Sequence, residues 1–505
     1  MLSRVQLQIT NSSRFIISNL LTSARFGFPV LQHYHQFSSG NFPYHCSSFD
    51  DEALKVQSLL KIHSHRPIEE IEDCLRKCYF SLSQDVIMNV LTRNRSNYKI
   101  AKVFFNLVCK TKNSNGVDVL VYNEILDILG RMKRFEEVYQ VLDEMGRKNL
   151  VNMRTYAILV GRLSAAHNVE EAIGVFNRMK DYGLERNLAA FQTILLSLCR
   201  YKHVEEAELL FRNNVNEFPN DIKTWNIILN GWCLLRSLRD AKRLWKDIVR
   251  SKVKPDKFSY GIFINSLCKT GKIMTAMNLL SKMLEEGCSP DVAICNTVID
   301  GLCFKKRIPE ALKIVGDMKR RNCPPNVVTY NSLIKQFCNN RRVDEVYKLV
   351  NEMEENGDSC SPNALTYGFL LRMSSKPKEV DDILKRMKGR CEMEVDTYNL
   401  VLRLFVKWGD EDRMKFIWDE MERSGFGPDQ QSYTIVIHGL YDKGIVGEAL
   451  EYFNEMMSKG MVPEPRTRLL VDDMIKGLKT HSRTLPERRQ EKVCSMFDHV
   501  HSSQR

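Results

Sequence analysis

The chain has 505 residues, 43% of them hydrophobic and 27% charged, which excludes a wholly disordered polypeptide. No run of 18 apolar residues occurs, so no membrane span is expected, and fifteen cysteines in a long chain without a secretory leader are expected as thiols rather than as a disulfide framework. The net charge of +12 favours a polyanionic partner, because lysines and arginines that neutralise phosphates release counterions.

Residues 1–49 contain no Asp or Glu, and Arg4, Arg14 and Arg25 are spread among serines and apolar residues such as Phe15, Ile16, Ile17 and Leu20. This is the composition of an organellar presequence. Spaced arginines favour the mitochondrion, with the chloroplast as the alternative, and a weak processing site lies near Phe37. Residues 50–118 are expected to be a linker followed by a degenerate capping repeat over 83–118.

From Val119 onward one phrase recurs, as VYNEILDILG, TWNIILNGWC, VTYNSLIKQFC, DTYNLVLRLF and SYTIVIHGLY. Units counted from three residues before the aromatic begin at Val119, Met153, Leu188, Ile222, Lys257, Val292, Val327, Ala364, Val395 and Gln430, and the last closes at Glu464. Eight of the ten are 34 or 35 residues long, the seventh is 37 and the eighth 31. Within a unit the apolar residues recur at helical spacing. Tyr330, Leu333, Ile334 and Phe337 mark a first helix, and Val343, Val346, Val350 and Met353 a second. Each unit is therefore expected to be a helical hairpin.

Alanine recurs at one offset of the second helix (Ala172, Ala207, Ala241, Ala276, Ala311 and Ala449), where a small side chain lets helices approach closely. Glycine and then proline close the units, at Gly183, Gly287, Gly357, Gly425 and Gly460 and at Pro255, Pro290, Pro325, Pro362, Pro428 and Pro463. A lone hairpin cannot bury its apolar face, so stability has to come from stacking on neighbours, with altered end units as caps. Residues 465–505 read as a partial terminal repeat and a basic tail carrying Arg483, Arg488, Arg489 and Lys492.

No constellation for catalysis emerges, and none for a cofactor or metal. Cys199, Cys233, Cys268, Cys303 and Cys338 are 34 or 35 residues apart, one per hairpin, which makes them core residues too far apart to share a zinc ion. Cys74 and Cys78 lack a second ligand pair, and His33, His35, His45, His63 and His65 fall in polar surroundings without ligand-spaced partners. Phosphate-cradling glycine loops, nucleophile elbows and His-Glu-x-x-His are absent. Carboxylate pairs such as Glu170 with Glu171 and Glu205 with Glu206 open second helices, where they complement the helix dipole. The chain is not expected to be an enzyme.

The 35-residue hairpin with Tyr-Asn early, Cys late in the first helix, Glu-Glu-Ala in the second and a closing Pro-Asp or Pro-Asn resembles the pentatricopeptide repeat family. The stretches VVTYNSLIKQFC and CNTVIDGLCFKKRIPEAL are near matches, and the uniform unit length resembles the P-type subclass of plant organelles. The resemblance implies an all-α fold, a right-handed superhelical solenoid of tandem helix-turn-helix hairpins. It also implies sequence-selective binding of single-stranded organellar RNA, one base per repeat. The action would be steric or recruiting, in stabilisation, processing, splicing or translation, by a monomer that works with processing or splicing proteins.

In that family the fifth and last residues of each unit face the base edge. Carried over, Asn226 with Asp256 and Asn399 with Asp429 match the uracil-preferring pair. Asn123 with Asn152, Asn296 with Asn326, and Asn331 with Asn363 match the cytosine-leaning pyrimidine pair. A carboxylate only accepts, which suits uracil N3–H, whereas an amide also donates, which suits cytosine N3. The remaining pairs, Ala157 with Asn187, Gln192 with Asp221, Gly261 with Asp291, Gly368 with Glu394 and Thr434 with Glu464, carry no assignment, so the implied target is Y-N-N-U-N-Y-Y-N-U-N. Second-position residues sandwich bases in the family. Leu120, Ala189, Phe258, Ala293, Val328 and Leu365 suit that role, while Arg154, Lys223, Asp396 and Gln431 do not. The rival reading is a helical scaffold for protein partners, of the tetratricopeptide kind, whose binding lacks a steep salt dependence.

Overall fold

A computed structural model describes residues 48–62, 70, 82–111, 116–251, 253–321, 323–357 and 360–482. Residues 1–47 of the expected presequence, Cys74, Cys78, the five early histidines from His33 to His65, and the tail arginines with Lys492 lie outside the described residues.

Among the described residues every regular element is a helix. The chain divides into two compact bodies, Met1–Ala190 and Phe191–Arg505, with the division inside the helix Leu188–Arg200. First helices begin at Val119, Met153, Leu188, Ile222, Lys257, Val292, Val327, Ala364, Val395 and Gln430. Each coincides with a unit start read from the sequence, and each first helix is followed by an antiparallel second helix. In the first body Val119–Arg131 packs on Met153–Ala165. In the second, Ile222–Leu234 packs on Lys257–Lys269, and so on along the array to Gln430–Asp442, which packs on the terminal helix Pro465–Ser482.

One segment departs from the sequence reading. The stretch expected as linker contains the helix Ser48–Ile62, packed against Gln84–Arg93. Its buried side chains Ala53, Val56 and Leu60 are spaced three and four apart, the helical stripe that its short length concealed.

The hairpin follows from local chemistry. Asn152, Asp256, Asn326, Asn363 and Asp429 cap the helices after them, each in a reciprocal box with the Ser or Thr three residues on, which satisfies two otherwise orphaned N–H groups. Acidic pairs such as Glu136 with Glu137 and Glu205 with Glu206 occupy the first turn of second helices, which do not use this box. The fourth-position tyrosines are the largest fully buried side chains, among them Tyr122, Tyr260, Tyr330 and Tyr433. Their hydroxyls donate to a glutamate in or capping the same unit's second helix, Glu144, Glu286, Glu352 and Glu455, at 2.6–2.8 Å. Each tyrosine thus ties its hairpin shut. The recurring alanines of the second helix are all fully buried, as close helix packing requires.

Stacking is equally specific. A Cβ on Gly231 would lie 2.7 Å from Cys199 Sγ and 3.0 Å from Val204 Cγ1 of the preceding unit, so those side chains press directly on the bare backbone there. Burial pushes the thiols of Cys199, Cys268 and Cys303 up to about 12 and those of Cys233 and Cys338 to about 11. These cysteines are neutral packing groups. Units three and four are also clasped by Glu208, only 5% exposed, which accepts from Arg243 at 2.7 Å, Arg212 at 2.7 Å and Trp232 Nε1 at 2.7 Å. Burial alone would raise its pKa, but these donors outweigh it and hold the carboxyl at about 2.

Candidate nucleic-acid interface

A polar cluster recurs at the N-terminal ends of several first helices. The fifth residue opens the second turn, with its backbone in the helix. The last residue of the unit is the N-cap of the next first helix, one repeat away, and stacking brings the two together. Asn226 Nδ2 donates to Asp256 Oδ1 at 3.0 Å, Asn296 to Asn326 at 3.2 Å, Asn331 to Asn363 at 3.3 Å and Asn399 to Asp429 at 3.2 Å. Four of the five pairs singled out from the sequence are therefore hydrogen-bonded pairs. In the fifth, Asn123 and Asn152 share Thr155 as a partner, and the buried Asn123 Nδ2 has no hydrogen-bond partner.

A third member was not identified from sequence, namely the Ser or Thr at the third position of the following unit. Thr155, Ser259, Thr329, Thr366 and Ser432 bring their hydroxyls within 2.6–2.8 Å of the fifth-position Oδ1. They share that proton with the N-cap oxygen at 2.8–3.2 Å. The signal was present as a small hydroxyl recurring just before the aromatic, but it reads equally well as a cap.

The cluster fixes which atoms remain for a ligand. Asn226 Oδ1 accepts from Ser259, and Nδ2 uses one proton on Asp256, leaving one N–H. Asp256 Oδ1 receives Asn226 Nδ2, the Ser259 amide at 2.7 Å and the Ser259 hydroxyl at 2.8 Å, leaving Oδ2 as an acceptor. In the Asn-Asn clusters Asn326 Oδ1 is likewise consumed by Asn296, Val328 and Thr329, and what remains is an Nδ2 donor. The last residue therefore presents an acceptor when it is Asp and a donor when it is Asn. At Asp429 burial favours the neutral acid, but hydrogen bonds from Ser432 and Asn399 prevail and hold the carboxyl below the usual range.

Second-position residues flank these clusters next to fully buried third and fourth residues. Phe258 is 37% and Leu365 52% exposed. Ala189 and Ala293 are exposed, Leu120 and Val328 half-buried, and the polar Arg154, Lys223, Asp396 and Gln431 are exposed. At the other end of the first helices, Lys133, Lys202, Arg236, Lys306 and Arg341 adopt left-handed backbone at φ between 55° and 72°. Gly271, Gly409 and Gly444 hold the same turn position. The five basic residues are exposed and form no ion pair among the described residues. A left-handed Lys or Arg costs about 1 kcal/mol that Gly avoids, so charge is retained there against a local penalty. No group of His, Cys, Asp and Glu suited to a metal ion occurs among the described residues, and no helix there is long and apolar enough to cross a membrane.

Stacked helical hairpins with a repeated, half-spent polar cluster define a helical-repeat binding protein. The PPR repeat family model matches residues 220–269, 290–339, 325–376 and 393–442, and the PPR repeat model matches 120–150, 154–184, 258–288 and 431–461. The chain is 55% identical over 459 residues to a pentatricopeptide repeat-containing protein of Arabidopsis thaliana, spanning 90% of this chain and 88% of that one. It is 34% identical over 413 residues to a mitochondrial pentatricopeptide repeat-containing protein of the same plant, spanning 81% and 71%. Among solved structures it is similar to the maize pentatricopeptide repeat protein PPR10, at 20% identity and a TM-score of 0.49, covering 89% of this chain and 73% of that one. The chain belongs to the pentatricopeptide repeat family.

Proposed function

We propose that this protein is a P-type, sequence-selective binder of single-stranded organellar RNA, with each fifth- and last-residue pair addressing one nucleotide. The observation that carries the reading is the recurrence, one repeat apart, of Asn side chains hydrogen-bonded to Asp or Asn caps with one donor and one further polar atom unspent. A structural cap alone needs only the Ser or Thr partner. An amide added at four junctions, buried at three of them, suits a base edge, because unstacked single-strand bases are read through their Watson–Crick edges. The unspent atoms match the carried-over preferences, donor with acceptor for uracil at units four and nine, and donor with donor for pyrimidine at units six and seven.

The net charge of +12 and the unpaired basic residues at the hairpin turns suit a phosphate backbone. Exposed Phe258 and Leu365, with Ala189 and Ala293, are the residues assigned to sandwich bases, and Leu120 and Val328 join them. The organelle is the mitochondrion, in keeping with the names of several relatives, and residues 1–49 are its presequence, residues 50–118 a linker and capping repeat, 119–464 ten repeats, and 465–505 a partial repeat and tail. Binding acts sterically or by recruitment on transcript stabilisation, processing, splicing or translation. The test is to crosslink and sequence RNA co-purified from organelles, then to measure binding of the recovered site. Substitution of Asn226 and Asn399 should abolish uracil preference at two nucleotides five units apart, and unchanged preference at both would sink the assignment.

A further inference from the structure

The third unit reverses the polarity of the cluster. Its fifth residue is Gln192, 6% exposed, and its last residue is Asp221. Gln192 Nε2 donates to Asp221 Oδ2 at 2.9 Å and also to Thr224 Oγ1 at 3.1 Å. In the Asn units the following Ser or Thr hydroxyl donates to the amide oxygen. Here Thr224 accepts from the amide nitrogen. Both Nε2 protons are therefore spent, and Gln192 Oε1 is left without a partner among the described residues. Asp221 does not cap its helix through its side chain, so its Oδ1 is uncommitted as well. Unit three thus offers two acceptors where unit four, one repeat along in the same body, offers a donor from Asn226 and an acceptor from Asp256.

We infer that unit three is a guanine-selecting position, resting on the reading of these clusters as base-facing. Two adjacent acceptors call for a Watson–Crick edge with two adjacent donors. Guanine alone has them, as N1–H and the N2 amino group. Uracil has one N3–H between two carbonyl oxygens, so one of its oxygens would face an acceptor. Adenine and cytosine each set one amino donor beside a ring nitrogen that accepts, so each loses one of the two bonds and gains a repulsion. Thr224 is a positioning residue, because by accepting from Nε2 its hydroxyl leaves Oε1 unspent. The fifth-position side chain therefore decides which amide atom the third-position hydroxyl engages, the oxygen of an Asn or the nitrogen of this Gln, and so which atom stays unspent.

The test is selection from random single-stranded RNA with the full chain, followed by competition binding of four oligonucleotides that differ only at the nucleotide adjacent to the one read by unit four. The unit-four nucleotide is located as the one that loses uracil preference in Asn226→Ala. The wild type should prefer guanine next to that uracil by about tenfold. Gln192→Asn should move the preference to uracil, because the shorter amide takes the Asn226 arrangement. Thr224→Val should flatten the preference, and Thr224→Ser should keep it, which separates amide positioning from any loss of stability. Retained uracil selection at unit four with indifference, adenine or cytosine at the neighbouring nucleotide overturns the inference alone. Loss of base selection at both nucleotides in the wild type overturns it together with the base-facing reading.

Discussion

Units eight and nine are neighbours with the same core and different polar ends. Unit nine has a first helix Val395–Trp408, a left-handed Gly409 in its turn, and the complete cluster of Asn399, Asp429 and Ser432. Unit eight has a first helix cut to Ala364–Met373, a second helix starting at Pro377, Gly368 at its fifth position, and a final Glu394 that makes no side-chain cap. Yet Thr366, Tyr367, Leu370, Leu371, Val380, Ile383 and Met387 are all buried. Tyr367 keeps its clasp by reaching Glu354 of the preceding unit at 3.1 Å, and Thr366 completes the cluster of unit seven. A unit can therefore serve its neighbour's cluster while lacking its own. Under the proposed reading, fourth residues serve the scaffold and fifth and last residues the base, while third residues such as Thr366 join the two at the junction between units.

That separation can be broken in order of expected effect. Gly231→Val places a branched side chain against Cys199 and Val204 at a scaffold position, and should cost about 2 to 3 kcal/mol in denaturant unfolding. A neutral result would show that the junction yields. Glu208→Gln removes the charge that Arg212 and Arg243 clasp and should cost about 2 kcal/mol at neutral pH, less than a fully buried pair because the arginines are half exposed. The folded carboxyl titrates at about 2, below its ordinary value. Its contribution is therefore complete above the unfolded pKa and lost as pH falls toward 2. Wild type and variant should converge on acidification, and a constant gap would assign the cost to packing.

The comparison sharpens if unit eight is given what it lacks. Gly368→Asn with Glu394→Asp, opposite the existing Thr397, should create a uracil preference of about tenfold at the eighth nucleotide, read by competition with oligonucleotides varied there. No gain would mean that the shortened helix, rather than the missing side chains, silences the unit. The smallest effect belongs to Gly368→Ala. Nothing lies within 4 Å of the added Cβ, so relief of helix-interior glycine should stabilise by about 0.5 kcal/mol, seen as a slightly higher unfolding midpoint. Destabilisation would place Gly368 in the scaffold after all.

By itself the sequence determined the period, the two helices per unit and the Gly and Pro that close each unit, while the four hydrogen-bonded pairs were legible only through the family resemblance. The period, the helices and their stops repeat along the chain and depend on residues within one or two helical turns, so spacing suffices to find them. The helix Ser48–Ile62 escaped because a single stripe of three apolar residues has no repeat to reinforce it. Only the stacked structure decided that Cys199 meets the bare backbone of Gly231, that Tyr367 borrows Glu354, and that Gln192 gives its nitrogen to Thr224 while Asn226 gives its oxygen to Ser259. In each case the outcome depends on which partner from the adjoining unit competes for one lone pair, one proton or one gap, and that competition exists only once hairpins some 30 residues apart in the chain are brought into contact.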